Sequence, residues 1–193
     1  MVPRILAFAG STRTKSHNKK LIALAASAAQ AAGAKVTLID LRDFPMPFYD
    51  GDLEAQLGLP EKAKALKELM VAHHGFLLSC PEYNASVSAV FKNAIDWVSR
   101  PQPGESSAVA FKGKWAALFS ASPGNLGGLR GLLNVRQILN TLGVLVLPTQ
   151  LAVARANDAF AEDGSLKDPG HQGALNGITA ELIRYLNATA PAQ

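Results

Sequence analysis

The segment from Gly10 to Asn18 concentrates side chains that can bind an anion. It contains four hydroxyl side chains, one arginine and one lysine within nine residues. It has a single glycine, so it matches neither the glycine-rich loop for pyrophosphate nor the phosphate loop of nucleotide hydrolases. Hydroxyls, an arginine and the first amides of a helix can instead hold a single phosphate dianion. We therefore expect a phosphate site here. The alternative is an ordinary helix start capped by Ser16 or Asn18.

Two lysines at the start of the same helix support the interpretation of a bound anion. Lys19 and Lys20 fall in the first turn of the predicted helix, where positive charge opposes the helix dipole. A bound anion would offset this unfavourable charge. Asp40 offers a different interpretation, because an acid at the end of the second strand binds ribose in dinucleotide folds. Without the glycine pattern, however, a capping or solvent-exposed role is favoured for Asp40.

A second segment suits a flat ring. Pro81-Glu82-Tyr83-Asn84 follows an apolar run and precedes a predicted helix over Ala89–Ser99. A turn of this kind can border a heterocycle, with backbone groups reading its edge and Tyr83 packing beside it. Cys80 is a candidate redox thiol beside such a ring. A buried structural role is favoured for it, because no second cysteine accompanies it.

The elements that must position these segments follow from hydrophobic patterning. Five short apolar runs are continuous rather than alternating, which is typical of strands buried on both faces of a parallel sheet. They are Arg4–Ala9, Lys35–Ile39, Gly75–Ser79, Trp115–Ser120 and Val144–Leu147. Segments with helical spacing lie between them, and Gly33 and Gly143 stand where two of these helices end. The stretch Leu41–Leu59 is predicted to be irregular and is longer than a tight connection. This order predicts an α/β fold with a doubly wound five-stranded parallel sheet and helices on both faces. Ligands bind such sheets at the carboxyl ends of the strands.

Composition excludes several classes of protein. The chain has 193 residues, 48% of them hydrophobic and 18% charged, so we expect a single folded domain over residues 1–193. One cysteine excludes an intramolecular disulfide and a zinc site built on several cysteines. A net charge of +4 is too small for a dedicated nucleic-acid binder. We find no membrane segment, signal peptide or metal motif, and expect a cytoplasmic protein.

Several separated motifs share one resemblance. The most specific are Pro81–Ser86 (PEYNAS) and Phe91–Trp97 (FKNAIDW). Supporting segments are Gly10–Asn18, Pro47–Glu54, Gly113–Lys114, Ser120–Gly124 and Gly127–Arg130. Together they resemble the NADPH-dependent FMN reductase family, a flavodoxin-like group that includes chromate and quinone reductases and some azoreductases. The resemblance runs from about Arg4 to Leu147.

The resemblance implies roles for eleven residues around FMN. The phosphate would be bound by Ser11, Arg13, Ser16 and Asn18. The isoalloxazine ring would be bordered, mainly through backbone groups, by Pro81, Glu82, Tyr83 and Asn84. Its other side would be closed by Ser120, Pro123 and Gly124. The family usually has Pro-Gly where this chain has Ser88-Ala89, but Ser88 can serve as an N-cap, so the helix start is expected to be kept.

Four other features have two interpretations each. Arg130 either reaches the extra phosphate of NADPH or is a surface charge. His17 either touches the flavin phosphate or faces solvent. His73 and His74 are expected to cap a helix rather than bind a metal. The run Pro101–Ser107 is either a flexible loop or a lid over the active site of a partner.

The activity implied by the resemblance is an FMN-dependent NAD(P)H oxidoreductase. NADPH or NADH would reduce FMN, and a quinone, azo, nitro, flavin or metal-oxyanion acceptor would be reduced in turn by a ping-pong mechanism. No catalytic side chain is expected, because the flavin performs the chemistry. A homodimer or homotetramer is expected. The alternatives are a flavodoxin-like electron carrier without NAD(P)H oxidation and a non-redox nucleotide-binding regulatory protein.

Overall fold

Strands and helices alternate along the whole of the chain that the structure describes. The computed structural model describes residues 2–189. Its strands are β1 (Arg4–Ala9), β2 (Lys35–Asp40), β3 (Gly75–Ser79), β4 (Trp115–Ala121) and β5 (Leu145–Val153). Its α-helices are α1 (His17–Ala31), α2 (Gly51–Leu57), α3 (Glu61–Ala72), α4 (Ala89–Val98), α5 (Leu129–Thr141) and α6 (Pro169–Ala188), and a short 3-10 helix covers Leu41–Asp43.

The five strands form one parallel sheet in the order β2-β1-β3-β4-β5. This confirms the predicted α/β fold and its flavodoxin-like architecture. In β1, Ile5 and Ala7 pack towards one layer of helices and Leu6 and Phe8 towards the other. The first layer contains α1 and α6, and the second contains α3, α4 and α5. Because both faces are covered, the three central strands β1, β3 and β4 are buried along nearly their whole length, which is why their sequences lack alternation.

The prediction was wrong about the end of β5 and about the stretch Leu41–Leu59. The strand β5 continues to Val153 instead of stopping at Leu147, past a shift of register opposite β4. As an edge strand it tolerates exposed polar residues such as Thr149, which ended the apolar pattern. The stretch predicted as irregular contains the 3-10 helix and α2. No residue of α2 is buried, so it carries no apolar stripe that a sequence could reveal.

The helix ends agree with the sequence. Gly33 and Gly143 follow α1 and α5 with φ angles of +90° and +81°, the left-handed conformation expected at these positions. Ser88 caps α4 by accepting a hydrogen bond from the Phe91 amide at 3.2 Å, so the helix start is kept without the family's Pro-Gly. None of the helices within residues 2–189 is long and apolar enough to cross a membrane.

Candidate functional site

A cavity of about 240 Å³ lies where the carboxyl ends of β1, β3 and β4 meet. It is lined by Ser11, Arg13, Ser16, His17, Asn18, Pro81, Glu82, Tyr83, Ala121, Ser122 and Pro123. Eight of the eleven residues predicted to surround the cofactor are therefore brought together in one cavity. The other three, Asn84, Ser120 and Gly124, lie in the adjoining loops and strand end without lining it. The topology explains this grouping, because parallel strands present their following loops at one edge of the sheet.

The loop after β1 presents donors towards this cavity. Ser16 is the N-cap residue of α1 and is buried, yet its side chain makes no capping hydrogen bond. The first amides of a helix have no partner within it, so the start of α1 adds further donors. The hydroxyl of Ser11 accepts a hydrogen bond from the Arg13 amide at 3.3 Å, which closes a tight turn. Such a set of hydroxyls, amides and a guanidinium suits a phosphate group.

Arg42 braces the same loop, a contact that sequence reasoning missed. Its guanidinium donates hydrogen bonds to the Thr12 carbonyl and, at 3.0 Å, to the Thr14 hydroxyl. Arg42 follows β2, and nothing in its local sequence marks it as a partner of a loop 30 residues earlier. The pairing arises because β2 lies beside β1 in the sheet.

Asn18 has a structural role that its predicted phosphate contact did not anticipate. Its side-chain amide donates to the Ala121 carbonyl at 2.9 Å, and its oxygen accepts from the Ala121 amide and the Ser79 hydroxyl. The side chain is buried and joins the start of α1 to the ends of β3 and β4. The Asn18 side chain is therefore committed to contacts with β3 and β4.

Lys19 and Lys20 both have favourable contacts within the chain. Their position in the first turn of α1 therefore no longer argues for a bound anion. Lys19 forms an ion pair with Asp40, and the ammonium of Lys20 lies 5.5 Å from the centre of the Phe160 ring. Asp40 also caps the 3-10 helix by accepting from the Arg42 amide at 3.0 Å. Burial by itself would raise the pKa of Asp40, but these contacts outweigh it and lower the pKa. The capping role expected for Asp40 is confirmed.

The turn after β3 has an unusual backbone. Tyr83 and Ser86 exchange two backbone hydrogen bonds of 3.0 Å, and between them Asn84 and Ala85 have φ angles of +50° and +62°. Both central residues are thus left-handed, as in the tight turns that usually require Asn-Gly. For Ala85 this conformation costs about 1–2 kcal/mol. The turn presents the Tyr83 side chain half-exposed at the cavity mouth.

The side chain of Glu82 turns towards α5. Its carboxylate accepts hydrogen bonds from Arg130 Nε at 2.8 Å and from the Gly131 amide at 3.0 Å. Burial by itself would raise the pKa of Glu82, but the Gly131 amide and the Arg130 guanidinium outweigh it and lower the pKa. Neither alternative for Arg130, an NADPH phosphate ligand or a free surface charge, included this ion pair.

The motif FKNAIDW is explained by its contacts with the loop after β2. Asn93 and Trp97, one helical turn apart on α4, both donate to the Pro47 carbonyl at 2.8 Å. The Asn93 oxygen also accepts from the Tyr49 amide at 2.8 Å. The Trp97 ring is fully buried and meets the Tyr49 ring edge-on, with centroids 5.0 Å apart. This motif therefore holds the loop after β2 in place.

Two buried polar atoms near the cavity lack a hydrogen-bond partner among the described residues: His17 Nδ1 and Ser120 Oγ. The other ring nitrogen of His17 bonds Asn157 Oδ1 at 3.1 Å, and the ring stacks on Phe160. Ser120 lies beneath Gly128, where an added Cβ would approach its hydroxyl to 1.9 Å, so only glycine fits there. With these contacts to Asn157 and Phe160, His17 lies in the cavity wall rather than in open solvent.

Three other candidates have structural roles. Cys80 is buried, and burial raises the pKa of its thiol well above its ordinary value, so the residue is a poor redox group. His73 caps α3, with Nδ1 2.6 Å from the Leu69 carbonyl, as expected, whereas His74 Nδ1 accepts from the Arg4 amide at 3.2 Å instead. The loop Pro101–Ser107 is anchored, because the buried Lys67 donates to the Arg100 carbonyl at 2.7 Å and pairs with Glu105. Within residues 2–189, no group of acids, histidines or cysteine is placed to hold a metal.

The chain resembles known flavin-dependent reductases over nearly its whole length. Its residues 3–158 match the model of the NADPH-dependent FMN reductase family. It is 35% identical to an NAD(P)H-dependent FMN reductase of Pseudomonas aeruginosa over 168 residues, 86% of this chain and 85% of that protein. It is 31% identical to a quinone reductase of Escherichia coli K12 over 186 residues, 94% and 93% of the two chains.

A solved structure agrees with these sequence relatives. The flavoenzyme NAD(P)H:(acceptor) oxidoreductase FerB of Paracoccus denitrificans superposes with a TM-score of 0.81 and 28% identity, covering 97% of this chain and 98% of that one. The family predicted from the motifs is therefore confirmed. The chain belongs to the NADPH-dependent FMN reductase family.

Proposed function

We propose that the cavity at the ends of β1, β3 and β4 binds FMN. The phosphate contacts Ser11, Arg13, Ser16 and the first amides of α1, among them the amide of Asn18. The ring lies against the segment Pro81–Asn84, and Ser120, Pro123 and Gly124 close its other side. The single observation that carries the proposal is the side chain of Ser16, a buried residue that lines this cavity at a helix N-terminus and makes no capping hydrogen bond.

Membership of the family confirms the prediction of an NAD(P)H-dependent reductase that uses FMN. When bound, FMN supplies the two-electron chemistry, and the chain supplies binding and orientation. Arg13 neutralises phosphate charge, and the braces from Arg42 and Asn18 keep the loop in one conformation. The turn at Tyr83 fixes one edge of the ring site. No step in this scheme needs a nucleophile or a general base from the protein.

We propose a ping-pong cycle in which NAD(P)H and the acceptor use the same open side of the site in turn. The supporting observation is that Tyr83 lines the cavity and its side chain is half-exposed, so the ring site borders solvent at this residue. Quinones, azo and nitro compounds, free flavins and metal oxyanions remain the proposed acceptors. The quinone is favoured, because the relative from E. coli is named a quinone reductase.

We also propose that the chain acts as a cytoplasmic single-domain protein that assembles into a homodimer or homotetramer. Large apolar side chains are exposed in the loop after β2 and on α5, with Phe48 80% and Leu133 57% exposed. Exposed apolar surface of this kind can mark contacts between subunits. Light scattering on the purified protein checks this proposal, and a monomer at micromolar concentration would contradict it.

One experiment tests the function. The purified protein is loaded with FMN, freed of excess, and titrated anaerobically with NADPH and with NADH while the visible absorbance is followed. Bleaching followed by recovery on adding a quinone is the expected result. Bound flavin that neither nucleotide reduces would indicate an electron carrier instead. Failure to bind FMN would indicate the non-redox alternative.

A further inference from the structure

The turn Tyr83–Ser86 needs a brace from outside itself. Asn84 and Ala85 are two successive residues in left-handed conformations, and neither is a glycine. Backbone of this kind persists only where surrounding contacts impose it, and it is concentrated at functional sites. The two hydrogen bonds between Tyr83 and Ser86 close the turn but do not fix its position on the protein.

The first half of α5 supplies that brace. Arg130 Nε and the Gly131 amide hold the two oxygens of Glu82, which immediately precedes the turn. Asn134, one helical turn further along, donates from Nδ2 to the Ala85 carbonyl at 3.0 Å. The turn is therefore held at its entry and at its strained centre by one face of one helix.

Gly131 allows this helix to approach closely. A Cβ added to Gly131 would lie 3.1 Å from Glu82 Cβ and 3.2 Å from the Ser86 carbonyl oxygen. Both distances are shorter than ordinary van der Waals contact, so a larger residue would displace the turn. An alanine in a helix interior normally stabilises the helix relative to glycine. Glycine at position 131 therefore sacrifices some helix propensity and permits the close contact with the turn.

We propose that Arg130, acting with Gly131 and Asn134, is a positioning residue that fixes Glu82 and the turn Tyr83–Ser86 against the flavin ring, and is not a reader of the NADPH phosphate. The position of the flavin ring in this proposal rests on the proposed function. The contact between α5 and the turn rests on the hydrogen bonds of Arg130, Gly131 and Asn134 described above. The guanidinium is committed to a carboxylate whose side chain is only 8% exposed. Removing Arg130 leaves that carboxylate with the Gly131 amide and without its counter-charge.

The proposal is tested first on the flavin-free protein by amide hydrogen exchange. In Arg130→Ala, the Gly131 and Ser86 amides should exchange at least about tenfold faster than in the wild type, because the free energy of local opening of the turn is then lower. The control is Arg184→Ala, which removes an exposed arginine near Glu181 on α6. Protection unchanged in Arg130→Ala would overturn the proposal, whether or not FMN binds.

The second test uses the FMN-loaded protein and separates the two roles of Arg130. In Arg130→Ala, FMN affinity should fall about tenfold, as expected when a buried carboxylate loses a charged hydrogen bond. The visible spectrum of the flavin should also shift, and Arg130→Lys should restore part of both changes. The ratio of kcat/KM for NADPH to that for NADH should stay within about twofold of wild type. A selective loss with NADPH and unchanged FMN affinity would show that Arg130 reads the phosphate instead.

Gly131→Ala provides an independent variant with an intact Arg130. It should bind FMN several-fold more weakly, because the added Cβ displaces the turn, while the gain in helix propensity offsets part of the cost in stability. FMN affinity equal to wild type in this variant would contradict the proposed contact. If the wild-type protein binds and reduces FMN normally, the proposed function stands whichever result these variants give.

Discussion

The side chains of Asn18 and Ser79 meet in a buried hydrogen bond of 2.9 Å, which joins the start of α1 to the end of β3. The same Asn18 oxygen accepts from the Ala121 amide at 3.0 Å, so one carboxamide links the two strand ends that flank the cavity. The strand ends beside the cavity are therefore linked by a polar side chain that is itself buried.

Replacing Asn18 by Ala should destabilise the protein by about 2–6 kcal/mol. The change leaves the Ala121 amide and carbonyl buried without partners, and each such group costs about 1–3 kcal/mol. Urea unfolding of the flavin-free protein measures the effect. Ser79→Ala is the matched variant and should cost only about 1 kcal/mol, because it removes one donor and leaves the contacts of Asn18 with Ala121. Equal losses in the two variants would contradict the bracing role.

Replacing Arg13 by Ala should weaken FMN binding by about 1.5–3 kcal/mol, the range for a hydrogen bond to a charged group. Fluorescence titration of the flavin measures the affinity. Riboflavin is the control ligand, because it lacks the phosphate and should bind both forms equally. An equal loss with riboflavin would place the effect on the ring or on the loop conformation and not on the phosphate.

The contribution of Lys114 to the stability of the protein should rise with pH between about 8 and 10.5. Burial, and secondarily the charge of Arg4, lowers the pKa of Lys114 from 10.5 to about 8. Between these values the folded chain has lost this proton while the unfolded chain keeps it, so raising the pH favours the folded state. Chemical unfolding across this range, compared with Lys114→Met, isolates the contribution. A difference between the two proteins that is flat or falls with pH would contradict the lowered pKa.

Cys80 should resist alkylation in the native protein. Its side chain is buried and burial raises the pKa of the thiol, so little thiolate is present at neutral pH. Iodoacetamide labelling followed by mass spectrometry should show less than about one tenth of the labelling of the urea-unfolded chain. Rapid labelling of the native protein would reopen the possibility of a redox thiol beside the flavin.

The sequence was sufficient for the fold and for the grouping of the predicted residues around one cavity. Continuous apolar runs mark strands that are covered on both faces, and that pattern is local, so Arg4–Ala9 and Gly75–Ser79 were predicted with correct bounds. The carboxyl ends of such strands converge by topology, which placed the loops at Gly10 and Pro81 in one site. Elements without a buried face, such as α2, leave no periodic signal and were missed.

Tertiary structure decided which polar side chains are free and which are committed. Ser16 and Asn18 were equally plausible phosphate ligands in sequence, yet one makes no capping hydrogen bond and the other makes three side-chain hydrogen bonds. Arg130 was an isolated charge until α5 was placed beside Glu82, 48 positions earlier in the chain. Periodicity reports which face of an element is buried. It does not report which two distant side chains meet, because that depends on the order of the strands and on the paths of the loops.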